Sequence, residues 1–385
     1  MATATALLDV RALPGTRETT TYTNGGLFPV VVTAANGALV AVARGGAGHL
    51  GLAGRIDVIR SQDGGLTWTA PTIVADSETD DRNPALGLSA RGTLILAYYQ
   101  VFSYDTQGRY VPREGSTSVW RCLVRVTRSH DNGLTWEEPY ALSDPLLRTG
   151  SAYGKIIQHG DTLIMPIYNR AIPELGAVNP EPPYFECSYV VRSHDDGLTW
   201  GDPSLISVEA GETALLALPN GELIAVTRRQ ALERSLWSLR SADGGVTWSE
   251  PAQVTGAMQH PGDLLLLKNG DILLTYGNRN DPPCRIEGRV SRDGGHSWLP
   301  ALLALSGQLR GYTTTSPRRA DLGYPSSTLR GDRGVTLYYC NPAHPRDDHW
   351  QSAGSAGYTA TGYTAVAVSW DQNELISAVE RASAV

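Results

Sequence analysis

The segment Ser61-Gln62-Asp63-Gly64-Gly65-Leu66-Thr67-Trp68 is one of five copies of the pattern S-x-D-x-G-x-[T/S]-W in this chain. The other copies are SHDNGLTW at 129–136, SHDDGLTW at 193–200, SADGGVTW at 241–248 and SRDGGHSW at 291–298. Asp and Ser side chains bond backbone N–H groups inside turns, and Gly adopts backbone conformations that a Cβ hinders. We therefore interpret each copy as a hairpin turn in which the Asp has a structural role and takes no part in chemistry.

Upstream of each octapeptide lies a second recurring unit, in which two short apolar runs flank a Gly-centred turn. Such units are typical of β-hairpins, and six are present, beginning at Phe28, Asn83, Tyr153, Glu212, Pro261 and Tyr324. A third strand, the octapeptide turn and a fourth strand complete a four-stranded sheet. We therefore predict an all-β, six-bladed β-propeller that forms a single domain over 1–385, with blades starting near 26, 82, 151, 211, 260 and 323. The sixth unit lacks an octapeptide, so we expect an N-terminal segment, Thr19 to Tyr22, to supply its outer strand.

The composition limits the partners of the chain. With a net charge of −7, an electrostatic nucleic-acid surface is not expected, and no stretch approaches a membrane span. The four cysteines (122, 187, 284 and 340) are scattered without metal-binding spacing, so we expect reduced thiols, no metal and no cofactor. The N-terminus lacks the features of a signal peptide, which favours a cytoplasmic protein unless a signal was removed. The oligomeric state stays open.

One end of such a propeller gathers the starts of the first strands and the ends of the second strands. These positions are polar and aromatic although they adjoin apolar runs. The first-strand starts carry Phe28, Asp81, Arg82, Asn83, Tyr153, Glu212, His260, Asp263 and Tyr324. The second-strand ends carry Arg44, Tyr99, Tyr168, Arg228, Arg229, Tyr276, Asn278 and Tyr339. Arginines, aromatic faces and titratable groups at one mouth suit a sugar or sugar-acid site, so we expect a carbohydrate partner.

Five S-x-D-x-G-x-T-W turns on six hairpin units resemble the sialidase (neuraminidase) superfamily, whose octapeptide is known as the Asp box. The resemblance covers essentially the whole chain. Sialidases use an arginine triad on the substrate carboxylate, a Tyr nucleophile paired with a Glu, and an Asp acid/base. Here the resemblance implies Tyr324 as nucleophile, Glu212 as its partner and Arg228 as the second arginine. It implies Arg285 as the third arginine, with Arg289 as a competitor.

At two positions the chain departs from that family pattern. Leu27-Phe28-Pro29 replaces the Arg-Ile-Pro motif that carries the first arginine, and the loop from Arg44 to Arg55 lacks the carboxylate of the acid/base. Arg44 or Arg55 could replace the arginine from another point. His49 or Asp81 could replace the acid.

Three functions stay open at this level. A retaining sialidase-like exo-glycosidase would use Tyr324 and Glu212, with Asp81 or His49 as the acid. Its terminal acidic sugar would be bound by Arg44, Arg82, Arg228, Arg285, Tyr153, His260 and Asp263. A different enzyme would use Glu212, Asp263 and Asp81 on an ordinary glycoside, or His49 and a Tyr for β-elimination on a uronic acid. The third function is sugar binding without catalysis.

Overall fold

The computed structural model describes residues 7–110, 122–144, 150–170, 186–229, 233–280, 284–300, 302–308, 321–341 and 360–383. These ranges consist almost entirely of β-strands and their turns. The N-terminal segment holds strand β1 (Leu7–Asp9), a short 3-10 helix (Val10–Ala12) and strand β2 (Arg17–Thr23). None of the helices in the described ranges has the length and apolar character to span a bilayer.

Six antiparallel meanders follow the N-terminal segment. The first contains β3 (Leu27–Thr33), β4 (Leu39–Gly45), β5 (Arg55–Ser61) and β6 (Thr72–Ala75). The second contains β7 (Asp80–Leu88), β8 (Leu94–Val101), β9 (Cys122–Ser129) and β10 (Tyr140–Ala141). The third contains β11 (Ser151–Ala152), β12 (Gly154–His159), β13 (Thr162–Arg170), β14 (Glu186–Ser193) and β15 (Gly201–Ser207).

The remaining meanders have the same strand order. The fourth contains β16 (Ala210–Ala217), β17 (Leu223–Arg229), β18 (Ser235–Ser241) and β19 (Ala252–Gln253). The fifth contains β20 (Gln259–Leu266), β21 (Ile272–Asn278), β22 (Arg285–Ser291) and β23 (Leu302–Ala304). The sixth contains β24 (Asp321–Arg330), β25 (Arg333–Asn341) and β26 (Thr364–Asp371), and helix α1 (Gln372–Ser383) follows it.

The N-terminal strands extend the last two sheets. Strand β2 pairs antiparallel with β26, with Thr19 opposite Ala367 and Tyr22 opposite Ala365, and so forms the outer strand of the sixth meander. Strand β1 pairs in parallel with β23 and widens the fifth sheet. The first strands contact one another in the cyclic order β3, β7, β12, β16, β20, β24 and back to β3. The described sheets therefore surround a common axis.

The expected all-β, propeller-like arrangement with blades is confirmed, but the described strands form five sheets, not six separate ones. Strand β12 pairs in parallel with β7, which merges the second and third meanders into one nine-stranded sheet. This close approach depends on Gly87, because a Cβ there would lie 2.2 Å from the Ile156 carbonyl oxygen. The absence of a side chain at this position therefore permits the parallel pairing.

The core lies between neighbouring sheets, because each meander is apolar on both faces. In one cluster, Val30, Val42 and Val58 of the first meander pack against Leu86 and Leu94 of the second. Burial on both faces explains the near-continuous apolar runs of the first two strands. Packing between adjacent sheets thus holds the ring together.

The octapeptides form the expected turns. The Asp63 carboxylate accepts hydrogen bonds from Ser61 Oγ at 2.8 Å, Leu66 N at 3.1 Å and Thr67 N at 2.9 Å. Thr67 Oγ1 donates to the same carboxylate at 2.6 Å. The same serine and threonine contacts recur around Asp131, Asp195 and Asp243. These aspartates are therefore committed to turns.

Candidate active site

The first strands are interrupted at one end of the ring. Register shifts separate Leu27 from Val30, Arg82 from Ala85, Ala210 from Thr213, Gln259 from Gly262 and Gly323 from Ser326. In the third meander the break falls at Tyr153, between β11 and β12. Bulges redirect side chains away from the regular alternation of a strand. They give the starts of the first strands a geometry different from the apolar runs that follow.

Three of the residues at these strand interruptions adopt the left-handed backbone conformation, which is uncommon for residues other than glycine. Phe28, Asn83 and Tyr324 have φ values of 55°, 41° and 52°, and each precedes a proline. Such non-glycine residues cluster at functional sites in proteins. All three line one cavity, together with Tyr153, Gly154, Asp263 and the prolines that follow Phe28, Asn83 and Tyr324. The bulges therefore build the cavity at the axis.

A tyrosine and a glutamate from distant meanders meet beside this cavity. Tyr324 Oη donates a hydrogen bond to Glu212 Oε1 at 2.6 Å. Arg228 Nη1 donates to Glu212 Oε1 at 3.0 Å and to Oε2 at 2.8 Å. Burial acts to raise the Glu212 pKa, but Arg228 and Tyr324 outweigh it and lower the pKa below its usual value. Glu212, which is 4% exposed, is therefore a carboxylate that can accept a proton.

The Tyr324 hydroxyl is neutral in this arrangement. Burial and the negative charge of Glu212 raise its pKa well above the ordinary value. The phenol therefore needs a base to become a nucleophile, and Glu212 is within hydrogen-bond distance. The Tyr153 ring lies 5.7 Å from that of Tyr324, and its hydroxyl donates to the Gly262 carbonyl at 2.9 Å. Tyr153 thus forms an aromatic wall of the cavity.

Arg279 is a site residue that sequence reasoning missed. Its Nη2 is 3.5 Å from Tyr339 Oη, and its Nε is buried without a hydrogen-bond partner in the described part of the chain. A Cβ at Gly323 would lie 2.7 Å from Nη2, so the glycine makes room for the guanidinium. Burial opposes the charge of Arg279, but Tyr339, Asp321, Tyr324 and Glu212 raise its pKa. The sequence signal that could have identified Arg279 is its position directly after Asn278, at the end of a second strand.

A second polar group, also missed in part, surrounds Asp321 at the start of β24. His49 Nε2 lies 2.5 Å from Asp321 Oδ2, and the hydroxyls of Tyr339 and Tyr363 donate to Asp321 at 3.1 and 3.0 Å. The Phe28 ring centroid is 5.2 Å from that of His49 and 4.6 Å from that of Tyr324. His49 is therefore close to the cavity. No sequence motif marked Asp321.

Arg44 was expected to bind substrate, but it lies in a buried ion pair. It pairs with Asp80, and both side chains are 0% exposed. Its Nε donates a hydrogen bond to the Gly48 carbonyl oxygen at 2.6 Å. This bond anchors the loop between β4 and β5. Arg55, the other candidate for the missing arginine, pairs with Asp57 at 3.0 Å. Neither arginine lines the cavity in the described ranges.

Asp81 is also held inside the second meander. Its carboxylate accepts hydrogen bonds from Ser77 N at 2.8 Å and Ser77 Oγ at 3.0 Å, and the residue is 0% exposed. Burial raises its pKa. Its neighbour Arg82 lies over the Tyr99 ring, 5.7 Å from the centroid, with Nε buried and lacking a partner among the described residues. Of this pair, Arg82 alone has unused hydrogen-bonding capacity.

The fifth meander contributes three of the expected residues. Asp263 lines the cavity, but Lys155 Nζ at 2.9 Å and Ser327 N at 2.8 Å occupy its carboxylate. His260 is fully buried; burial and the charges of Arg228 and Arg279 lower its pKa well below the usual value. Arg285 Nε donates to Glu287 at 2.8 Å. Arg285 is thus bonded within its own sheet. We expected Arg285 at the cavity as the third arginine, but Arg279 is the arginine whose charge acts on Glu212.

Comparison with known structures supports the fold. A protein of unknown function from Dyadobacter fermentans has a TM-score of 0.70 and 22% identity, over 93% of this chain and 100% of that chain. The Hadza microbial sialidase Hz136 has a TM-score of 0.65 and 17% identity, over 91% of this chain and 66% of that chain. Trypanosoma rangeli sialidase, in complex with the inhibitor DANA, has a TM-score of 0.63 and 16% identity, over 96% of this chain and 62% of that chain. No curated protein sequence matches the chain significantly.

Fold and repeats together define an all-β protein with octapeptide turns and a propeller-like arrangement of blades. The family model described as a BNR repeat-like domain matches residues 37–337. The chain therefore belongs to the BNR repeat-like domain family.

Proposed function

We propose that this protein is a sialidase-like exo-glycoside hydrolase that removes a terminal acidic sugar with retention of configuration, using Tyr324 as nucleophile. The observation that carries the proposal is the 2.6 Å hydrogen bond from Tyr324 Oη to Glu212 Oε1 beside the axial cavity. We also propose that the six meanders count as six blades, including the two that share the nine-stranded sheet.

Tyr324 attacks the anomeric carbon while Glu212 takes the phenolic proton. The two pKa shifts by themselves oppose this transfer, because the Tyr324 pKa is raised and the Glu212 pKa is lowered. Bond formation at the phenolic oxygen supplies the driving force, since the proton becomes acidic as the oxygen bonds to carbon. A neutral nucleophile also avoids repulsion from an acidic sugar. Arg228 holds the Glu212 carboxylate in place.

Arg279 binds the negative charge of the sugar in this proposal. It is charged, it lies beside Tyr339 and Asp321, and its Nε has no partner within the described ranges. A planar guanidinium suits a carboxylate because it offers paired donors. Arg82 offers a second unused donor on the opposite side of the axis, beside Asn83, which lines the cavity. Phe28, Tyr153 and Tyr324 supply the aromatic walls.

The test is a panel of aryl glycosides, sialosides first, with product configuration followed by NMR. We expect hydrolysis of an acidic sugar with retention, and loss of turnover in Tyr324→Phe with ligand binding kept. Tyr338→Phe is the matched control, because Tyr338 belongs to a core cluster away from the cavity. Full activity of Tyr324→Phe would refute the nucleophile. Ligand binding without turnover on the whole panel would favour a sugar-binding protein.

A further inference from the structure

The group around Asp321 joins four titratable side chains from the first and sixth meanders. His49 comes from the loop between β4 and β5, Asp321 opens β24, Tyr339 lies in β25, and Tyr363 directly precedes β26. Three of them converge on one carboxylate, with contacts of 2.5 Å from His49, 3.1 Å from Tyr339 and 3.0 Å from Tyr363. The nucleophile and its base use none of these groups.

The protons of this group can be assigned from its contacts. Burial and the negative charge of Asp321 raise the pKa values of Tyr339 and Tyr363, so both phenols are neutral donors. Asp321 accepts a hydrogen bond from each of them. In the 2.5 Å contact between His49 and Asp321 we assign the donor role to His49 Nε2, because a carboxylate accepts hydrogen bonds. Nδ1, which has no hydrogen bond to the described residues, remains for exchange with a ligand.

His49 and the nucleophile flank the same aromatic side chains. Phe28 contacts both rings, at 5.2 Å for His49 and 4.6 Å for Tyr324. Tyr339 also lies between them, 6.2 Å from His49 and 5.8 Å from Tyr324. The His49 side chain is 34% exposed, so it is accessible from solvent. Arg279 is the charged neighbour on the other side of Tyr339.

We propose that His49 is the general acid that protonates the leaving group, and that Asp321 is the positioning residue that fixes the ring and stabilises its protonated form. The inference rests on the proposed hydrolase function. In the first step the Tyr324 oxygen bonds to the anomeric carbon, and Glu212 takes the phenolic proton. The glycosidic bond breaks, and the leaving oxygen takes the proton from His49 Nδ1.

The second step reverses these transfers with water. Water loses a proton to His49 Nδ1 and its oxygen bonds to the anomeric carbon. The bond between that carbon and the Tyr324 oxygen breaks as the new bond forms, and the phenolic oxygen recovers its proton from Glu212. Asp321 keeps its hydrogen bond to His49 Nε2 in both steps and exchanges no proton. Asp81, the other candidate acid, is fully buried and bonded to Ser77, so it does not face a substrate.

The experiment compares leaving groups of different acidity. A dinitrophenyl glycoside needs no proton to depart, whereas a methyl glycoside does. We expect His49→Gln to lose about 10²- to 10⁴-fold in kcat/KM on the methyl glycoside and less than about tenfold on the dinitrophenyl glycoside. Asp321→Asn should show the same dependence in weaker form. With the dinitrophenyl glycoside, azide can attack the Tyr324 adduct without deprotonation, so it should raise the turnover of His49→Gln and give a glycosyl azide.

Controls separate this inference from the function on which it rests. His159→Gln changes a histidine that bonds the Gly221 carbonyl far along the chain, and both substrates should react normally. Tyr324→Phe should be inactive on both glycosides, and if it is active the hydrolase proposal fails. An inactive Tyr324→Phe beside a His49→Gln with equal losses on both glycosides would overturn the role of His49 alone. An unsaturated product absorbing in the ultraviolet would overturn it in favour of β-elimination. Because His49 is partly exposed, His49→Gln keeps the test valid even where Asp321→Asn does not fold.

Discussion

Replacing Arg44 with Met should destabilise the protein without changing its affinity for sugar. Arg44 and Asp80 are both 0% exposed, and Asp80 also accepts hydrogen bonds from Tyr104 Oη at 2.5 Å and Gly51 N at 3.2 Å. Arg44→Met therefore leaves a buried carboxylate without its cation. Breaking a buried ion pair in this way costs about 3–5 kcal/mol.

The expected shift in melting temperature follows from chain length. An unfolding entropy of about 2.1 cal/mol/K per residue gives about 0.8 kcal/mol/K for 385 residues. A loss of about 3–5 kcal/mol then lowers Tm by about 4–6 °C. Adding Asp80→Asn to Arg44→Met should recover part of the loss, because it removes the unpaired charge.

Differential scanning calorimetry measures the shift. Arg91→Met is the matched control, because Arg91 is exposed and its side chain makes no hydrogen bond or ion pair with the described residues. The Tm of Arg91→Met should change by less than about 1 °C. Ligand affinity, measured below the transition, should equal that of the wild type in Arg44→Met. An unchanged Tm together with weakened sugar binding would refute the reasoning and return Arg44 to the substrate site.

Three further outcomes are expected. Glu212→Gln should lower kcat by about 10²- to 10⁴-fold without changing the fold. Steady-state kinetics measure kcat, and circular dichroism checks the fold. Near-normal turnover would show that Glu212 is not the base. Hydrogen bonds lower the pKa values of Asp63, Asp131 and Asp293 to about 2, although slight burial acts in the opposite direction. The stabilising contribution of these carboxylates is therefore complete above a pH of about 4 and is lost as the pH falls through about 2. Thermal melts across this range should show the loss of stability, and a Tm that does not change with pH would contradict it. Gly87→Ala should lower the free energy of unfolding by about 1–3 kcal/mol in urea titrations, because its Cβ would lie 2.2 Å from the Ile156 carbonyl oxygen. Gly201→Ala is the control and should not destabilise the protein, because a Cβ there has nothing within 4 Å. Equal free energies of unfolding for the two variants would argue against the β7–β12 contact.

Local sequence patterns predicted the sheets because the relevant interactions are local. The octapeptide carries its own hydrogen-bonding partners, as the contacts of Asp63 with Ser61 and Thr67 illustrate. Apolar runs around Gly-centred turns predicted the hairpins for the same reason. The merger of two meanders depends instead on the fit of Gly87 against Ile156, which are distant in sequence. No local pattern encodes that approach.

The site was predictable only in part. Tyr324 and Glu212 followed from their places at the starts of first strands, and the structure brings them together. Arg44 occupies an equivalent strand end, but whether such a side chain faces the cavity or the protein interior depends on partners such as Asp80. Asp321 lacked a local signal, because its role depends on His49, Tyr339 and Tyr363 from other segments.

Covalent labelling tests the central claim most directly. A fluorinated glycosyl fluoride of the sugar that the protein hydrolyses should accumulate as a glycosyl-enzyme intermediate, and peptide mass spectrometry locates the adduct. The account predicts a single adduct on Tyr324, lost in Tyr324→Phe and retained in Tyr338→Phe. An adduct on a carboxylate such as Asp263, or hydrolysis with inverted configuration and no adduct, would contradict it.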